Sequence, residues 1–199
     1  MTTSPTPQPD FRTYYDLERY LFDTVSPRFA RDHTLNAFDF FCIIIWKANR
    51  AKTKVVKRLL AHDNSADLNT AVKGLVTTIA AAPTSKQKLQ ILINDWGFLL
   101  PMASAILTVL YPEEFTVYDI RVCDVLNNFH SVANKFKFES IWTGYSQYIA
   151  AVREKGPTAL SLRDKDRWLW GESFYNELRE DIATNFSRTR KVPAEGKAL

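Results

Sequence analysis

The residue best suited to chemistry is a single carboxylate, Asp119, in the segment Val-Tyr-Asp-Ile-Arg-Val at 117–122. It follows a stretch rich in small side chains, residues 97–107, after a short loop that contains Pro112. We expect Asp119 to lie at a helix start, where the helix dipole favours negative charge and a carboxylate can stabilise positive charge on a substrate. The alternative is that Asp119 only caps its own helix. These residues alone leave both interpretations open.

The sequence lacks the residues that most other kinds of catalysis need. His33, His62 and His130 are scattered, with no carboxylate or cysteine at ligand spacing, so we expect no metal site. Two cysteines cannot hold a four-cysteine iron–sulfur cluster, and the apolar surroundings of Cys42 and Cys123 predict buried thiols. No glycine-rich phosphate loop, dinucleotide fingerprint or nucleophile elbow is found. Carboxylate chemistry without a cofactor, or binding without chemistry, remains.

Length and composition predict one soluble domain. The chain has 199 residues, of which 46% are hydrophobic, and this is enough for a substantial core. We expect a disordered N-terminus at 1–10, a single helical domain at 11–186 and a basic flexible tail at 187–199. No apolar run approaches the roughly 20 residues that cross a bilayer, and no signal segment is evident. We therefore expect a cytoplasmic monomer without membrane contact.

A basic block separates two apolar segments. Six basic residues and no acidic one lie between Lys47 and Arg58, although the net charge of the chain is only +4. Such a block attracts phosphate, or it forms a solvated helix face. On one continuous helix Asn49 and Lys52 would fall among apolar residues, which is costly for polar groups. Either these two residues line a pocket, or the helix breaks near Asn49, and we favour the break.

Apolar periodicity and capping residues predict helices along the whole chain. The first helix is expected over 11–29, with an end near Pro27. We expect Gly97 to end a helix and Pro101 to occupy the first turn of the next one. A long helix is expected over about 164–186. The sequence therefore predicts an all-α fold, a compact bundle of about eight or nine helices.

Two features of the last predicted helix concern its surface. Its mixed charges are typical of a solvated face, formed by Arg163, Asp164, Lys165, Asp166, Arg167 and Glu172. Trp168 and Trp170 lie two residues apart and cannot share a helix face. We expect one of the two rings in the core and the other exposed or lining a pocket.

The central stretch resembles the helix-hairpin-helix DNA glycosylases. Leu-Pro-Met-Ala-Ser-Ala at 100–105 occupies the place of the family hairpin and its small-residue helix, and Phe-Thr-Val-Tyr-Asp at 115–119 occupies that of the catalytic aspartate. The resemblance covers residues 86–128 by motif and residues 36–128 by helix order. The hairpin glycines are reduced to Gly97. The lysine that bifunctional members carry after the hairpin is not evident, since Leu100, Pro101 and Met102 stand nearby.

The resemblance implies a monofunctional DNA glycosylase, which flips a modified base out of double-stranded DNA and leaves an abasic site. The catalytic residue would be Asp119. The base pocket would be lined by Trp46, Asn49, Lys52, Tyr118 and Trp170. The DNA backbone would be bound by Lys47, Arg50, Lys54, Lys57 and Ser104. The substrate class would be a damaged base or a hypermodified phage base, the latter in anti-phage defence. The alternatives are a non-catalytic DNA-binding helical module and a helical protein-interaction domain.

Overall fold

The structure, a computed structural model, describes residues 8–62 and 67–187. These residues form helices and no strand, which confirms the all-α prediction. Helix α1 contains the α-helical segments Leu17–Tyr20 and Ser26–Asp32, joined by a π-helical turn, Leu21–Val25. The next four helices are α2 (Ala37–Ala48), α3 (Lys52–His62), α4 (Leu68–Ala81) and α5, which comprises Ser85–Gln90 and a π-helical turn, Ile91–Asp95. The last four are α6 (Leu100–Leu110), α7 (Ile120–Leu126), α8 (Phe138–Glu154) and α9 (Leu162–Ala183).

The first helix differs from its prediction at both ends. It starts at Leu17 behind the cap Asp16, after a separate 3-10 turn at Phe11–Tyr14. It also continues through Pro27 to Asp32. Pro27 is tolerated because it is the second residue of a new α-helical segment after the π-helical turn, where its missing N–H is not needed. The disorder predicted at 1–10 and the tail predicted at 187–199 fall mostly outside the described residues.

Helix α6 lies at the centre of the bundle. Each of its residues from 103 to 110 is buried, and it packs against α1, α2 and α5. Small side chains such as Ala103 and Ala105 let these neighbours approach closely. As predicted, Gly97 follows the end of α5 and Pro101 lies in the first turn of α6. Gly97 has φ +66°, a left-handed conformation that glycine adopts without a steric penalty.

The predicted break near Asn49 is confirmed. Helix α2 ends at Ala48, a 3-10 turn covers Asn49–Ala51, and α3 starts at Lys52. The break places Lys47 on a different helix from the basic residues that follow it. A continuous basic face from Lys47 to Arg58 is therefore not formed.

Helix α9 packs on α7 and α8 and completes the wall around Asp119. Its buried residues lie in its first half, at Leu162, Lys165, Asp166 and Leu169. Within the described ranges, no helix is both long and apolar enough to cross a membrane.

Candidate functional site

The segment 115–119 between α6 and α7 is held by buried side chains. Its residues before Asp119 are themselves almost completely buried. Hydrogen bonds join Ser104 Oγ to the Tyr118 N–H at 2.9 Å, Tyr145 Oη to the Thr116 carbonyl at 2.6 Å, and Tyr148 Oη to the Val117 carbonyl at 2.8 Å. Because three backbone groups are fixed by side chains from α6 and α8, the position of Asp119 is fixed as well.

Asp119 has one partner for each carboxylate oxygen. Oδ1 accepts a hydrogen bond from the Arg121 N–H at 3.1 Å, so Asp119 caps α7. Oδ2 accepts a hydrogen bond from Lys47 Nζ at 2.6 Å. The two side chains are 22% and 15% exposed. Asp119 is thus a helix cap and also half of a partly buried ion pair.

This ion pair opens into a cleft of about 550 Å³. A cavity of this size lies within the usual range of small-molecule sites, about 300–1,000 Å³. The cleft is lined by residues from α1, α2, α7, α9 and the segment before α7: Glu18, Trp46, Lys47, Val117, Asp119, Ile120, Arg121, Arg163, Asp166, Arg167 and Trp170.

Arg163 of α9 organises the wall on the other side of the cleft. Its guanidinium donates hydrogen bonds to Asp166 and, at 2.8 Å, to Glu18. It also lies over the rings of Phe22 and Trp46, at 4.6 and 5.2 Å from their centroids. These contacts join α1, α2 and α9 around one cation.

Asp166 is a second carboxylate of the cleft, and only 3% of its surface is exposed. Burial raises its pKa from 3.8 to about 6. Arg163, the backbone of Val117 and Lys47 act in the opposite direction, and Asp119 raises the pKa further. Asp166 therefore changes its charge near pH 6, in the same cleft as the Lys47–Asp119 pair.

The prediction of a solvated mixed-charge face on α9 is wrong for three of its members. Asp166 and Lys165 are buried, and the Arg163 side chain is 13% exposed. Lys165 Nζ donates to the Arg153 carbonyl instead of facing water. The sequence contains one indication that Asp166 is buried. It lies four residues after Leu162 and three before Leu169, a spacing that places all three on one helix face.

The predicted base pocket is found only in part. Trp46 and Trp170 line the cleft. Asn49 and Lys52 do not line it, because the helix break leaves them exposed and bonded to each other at 2.9 Å. Tyr118 does not line it either, since it is 5% exposed and its hydroxyl donates to the Phe129 carbonyl at 2.6 Å.

The expectation that one of two neighbouring tryptophans lies in the core is wrong. Trp168 and Trp170 are 42% and 43% exposed. The buried side of α9 runs instead through Asp166 and Leu169.

Two of the predicted phosphate-binding residues have other partners. Lys47 is paired with Asp119 inside the cleft. Ser104 is fully buried and bonded to the Tyr118 N–H, so it positions the segment before Asp119 and does not face a ligand. The other three, Arg50, Lys54 and Lys57, are exposed and remain candidates for phosphate contacts.

Arg121 lies at the edge of the cleft. Only its backbone contacts Asp119, and its side chain pairs with Glu177. Its guanidinium lies 5.4 Å from the centroid of the Trp170 ring. This arrangement presents an aromatic ring and a cation side by side.

The cysteines and the candidate metal ligands add no further chemistry. Cys42 and Cys123 are buried free thiols, as predicted, and burial raises the pKa of each to about 11. Among the described residues, no group of three or more His, Cys, Asp or Glu side chains is arranged to hold a metal ion. The charged and aromatic groups that line the cleft are three carboxylates, one amine, three guanidinium groups and two indole rings.

Comparisons of the chain with family models, with curated proteins and with solved structures found no match.

Proposed function

We propose that this protein is a monofunctional DNA glycosylase, which hydrolyses the N-glycosidic bond of a modified base flipped out of double-stranded DNA. The observation that supports this proposal best is the position of Asp119. Its carboxylate faces a cleft of about 550 Å³ that also contains Trp46 and Trp170. The resemblance of residues 86–128 to the helix-hairpin-helix glycosylases supports the same activity.

The proposed reaction uses the cleft in two ways. The flipped base enters it and stacks on an aromatic ring, for which Trp46 and Trp170 are available. As the bond between C1′ and the base nitrogen breaks, positive charge develops on the sugar, and the Asp119 carboxylate stabilises this charge. A water oxygen then bonds to C1′ and loses a proton, and the base leaves with the electron pair of the broken bond. No cofactor takes part.

The exposed residues Arg50, Lys54 and Lys57 would hold DNA phosphates. Each neutralised phosphate releases counterions, so the affinity for DNA would fall as salt rises. The substrate base would be a product of damage or a hypermodified base of phage DNA. In the second case the protein would act in anti-phage defence.

A second candidate is a glycosylase that also cleaves the strand, and the contact between Lys47 and Asp119 favours it. With Nζ at 2.6 Å from Asp119 Oδ2, the carboxylate can accept a proton from the ammonium group. The free amine would then bond to C1′ as the base leaves with the electron pair of the broken bond. The nitrogen would lose a proton, and the sugar ring would open at the C1′–O4′ bond, with the proton taken up by O4′, to give an iminium. Loss of a proton from C2′ and of the phosphate from C3′ would then break the strand. The resulting iminium can be reduced to a stable amine by borohydride, which separates this candidate from simple hydrolysis.

The first experiment tests for base release. The full chain is incubated with duplexes that carry single modified bases and with hypermodified phage DNA, and abasic sites are cleaved with alkali. Asp119→Asn is expected to lower the rate by about 10²–10³-fold. Asp124→Asn is the matched control, because Asp124 lies on α7, the helix that Asp119 caps, and its side chain is 57% exposed. An unchanged rate in Asp119→Asn would remove this residue from the mechanism.

The same experiment tests the alternatives. No base release from any DNA, together with salt-sensitive DNA binding that Asp119→Asn leaves intact, would favour a non-catalytic binding module. No DNA binding at low salt would favour a protein-interaction domain.

The second experiment adds borohydride to the reaction. Hydrolysis by water predicts no covalent protein–DNA product. A trapped product that is lost in Lys47→Met and kept in the exposed control Lys52→Met would favour the lyase candidate.

A further inference from the structure

The charges around the cleft do not cancel. Within the described residues, every cation that lines it has a carboxylate partner. The pairs are Lys47–Asp119, Arg121–Glu177, Arg163 with Asp166 and Glu18, and Arg167 with Glu18 and Asp164. This network has four cations and five carboxylates, so it carries one excess negative charge when all of its groups are ionised.

The pair of Lys47 and Asp119 cannot supply that excess. With 2.6 Å between Nζ and Oδ2, the two charges form a nearly neutral unit. A neutral pair attracts a cationic sugar much less than a lone carboxylate does, because the fields of its two charges oppose each other. The proposed reaction therefore needs a further negative charge close to the pair.

Asp166 is the carboxylate best placed to provide it, because its cation, Arg163, is shared with Glu18 and neutralises Asp166 only in part. It lines the same cleft, and its side chain is 4% exposed. The other carboxylates of the network have side chains that are at least 22% exposed, and water screens their charges more strongly.

We propose that Asp166 is a positioning residue of this site, whose carboxylate attracts Lys47 and thereby restores to Asp119 the negative charge that a cationic substrate group requires. The cationic substrate group belongs to the glycosylase activity, so this inference rests on the proposed function. The link between Asp166, Lys47 and Asp119 can be tested without any substrate.

The groups that face Asp166 determine how its charge depends on pH. Arg163 lies on its own helix, Lys47 on α2 and Asp119 before α7. The hydroxyls of Tyr145 and Tyr148 on α8 have pKa values far above neutral, so they stay protonated. With the pKa of Asp166 at about 6, its charge is present above that pH and lost below it. The activity is expected to fall as the pH drops through this value.

The first test follows Lys47 and Asp119 by NMR in the full chain without DNA. The Lys47 side-chain nitrogen and the Asp119 carboxyl carbon are recorded from about pH 4.5 to about pH 8. In the wild type both signals are expected to shift with the midpoint of Asp166. The shift should be lost in Asp166→Asn and kept in Asp124→Asn, a change at an acid that lies outside the network and whose side chain is 57% exposed. Wild-type signals that do not respond to Asp166 would overturn the inference, even if Asp166→Asn does not fold.

The second test measures binding of two duplexes that differ in charge. One contains a pyrrolidine abasic-site analogue with a protonated ring amine, and the other contains the neutral tetrahydrofuran analogue. The wild type and Asp124→Asn should prefer the cationic duplex by about tenfold near pH 7.5 and lose the preference near pH 5. Asp166→Asn should show no preference at either pH, and a preference equal to that of the wild type would overturn the inference.

The two tests separate failure of this inference from failure of the proposed function. If neither duplex binds to any variant, the glycosylase proposal fails. The NMR titration then decides alone whether Asp166 controls the Lys47–Asp119 pair. If both duplexes bind but Asp166→Asn behaves like the wild type, the glycosylase proposal stands and the role of Asp166 is rejected.

Discussion

The two walls of the cleft are stabilised by different interactions. One wall is the segment 115–119, whose backbone is held by hydrogen bonds with the uncharged side chains of Ser104, Tyr145 and Tyr148, all of them fully buried. We call it the neutral wall. The other wall, formed by α9, is held by ion pairs of Arg163, which is largely buried, and of Arg167, which is exposed. We call it the ionic wall. Neutral bonds keep their strength across the physiological pH range, whereas ion pairs respond to pH and to salt. The position of Asp119 and the charge around it are therefore controlled by separate parts of the molecule.

The largest loss of stability is expected from Arg163→Met, which removes the buried cation of the ionic wall. The change leaves the buried Asp166 carboxylate without its cation, and such a loss typically costs about 3–5 kcal/mol of the free energy of unfolding. The cost should be smaller near pH 5, because Asp166 can then take up a proton. Urea unfolding near pH 5 and near pH 7.5 measures this difference. An equal cost at both would show that the lost packing on Phe22 and Trp46 dominates.

The second effect is a pH dependence of stability that comes from Asp166. Its pKa is raised from 3.8 in the unfolded chain to about 6 in the folded protein. The folded state binds the proton more tightly, so this contribution is fully present below the unfolded pKa and is lost as the pH rises through the folded pKa. A rise of about two units corresponds to about 3 kcal/mol.

Asp166→Asn removes this contribution and provides the measurement. The wild type should gain up to about 3 kcal/mol relative to Asp166→Asn between about pH 7.5 and about pH 4 in urea unfolding. Asp164→Asn should follow the wild type. Parallel curves for the wild type and Asp166→Asn would show that Asp166 does not titrate in this range.

A smaller loss of stability, which does not depend on pH, is expected from a change in the neutral wall. Ser104→Ala leaves the buried Tyr118 N–H without its acceptor, which costs about 1–3 kcal/mol. The cost should be the same near pH 5 and near pH 7.5, because no ionised group is involved. Ser146→Ala is the control, since its hydroxyl bonds to the Thr143 carbonyl within α8 at an exposed site. A cost that changes with pH would contradict the separation of the two walls.

Local signals explain which parts of the fold could be predicted from the sequence. Gly97 and Pro101 act through their own backbone, so the end of α5 and the start of α6 follow from the residue type. The break near Asn49 follows from a conflict within one segment, in which polar residues would fall on an apolar helix face.

The site could be predicted less well, because it depends on contacts between distant segments. The sequence predicts Asp119 at a helix start, but its partner Lys47 lies 72 residues away in the sequence. The burial of Asp166 against α7 and α8 has one signal in the sequence, its place on a helix face with Leu162 and Leu169, but its neighbours of alternating charge favour a solvated face. The resemblance implies a place for Tyr118 in the pocket, but along an extended segment neighbouring side chains point to opposite sides, and Asp119 is the one that lines the cleft.

The smallest effect is expected from Arg167→Met, which tests the ionic wall at its exposed end. Arg163 and Arg167 both contact Glu18 Oε1, at 2.8 and 3.0 Å, and Arg167 also pairs with Asp164 at 3.2 Å. The Arg167 side chain is 60% exposed, and that of Arg163 is 13% exposed. Exposed ion pairs contribute about 0–1 kcal/mol, so Arg167→Met should alter the free energy of unfolding by no more than this and should lose its effect in high salt. If Arg167→Met instead costs as much as Arg163→Met, the wall is one cooperative network, and the exposure of its individual pairs does not determine their contribution.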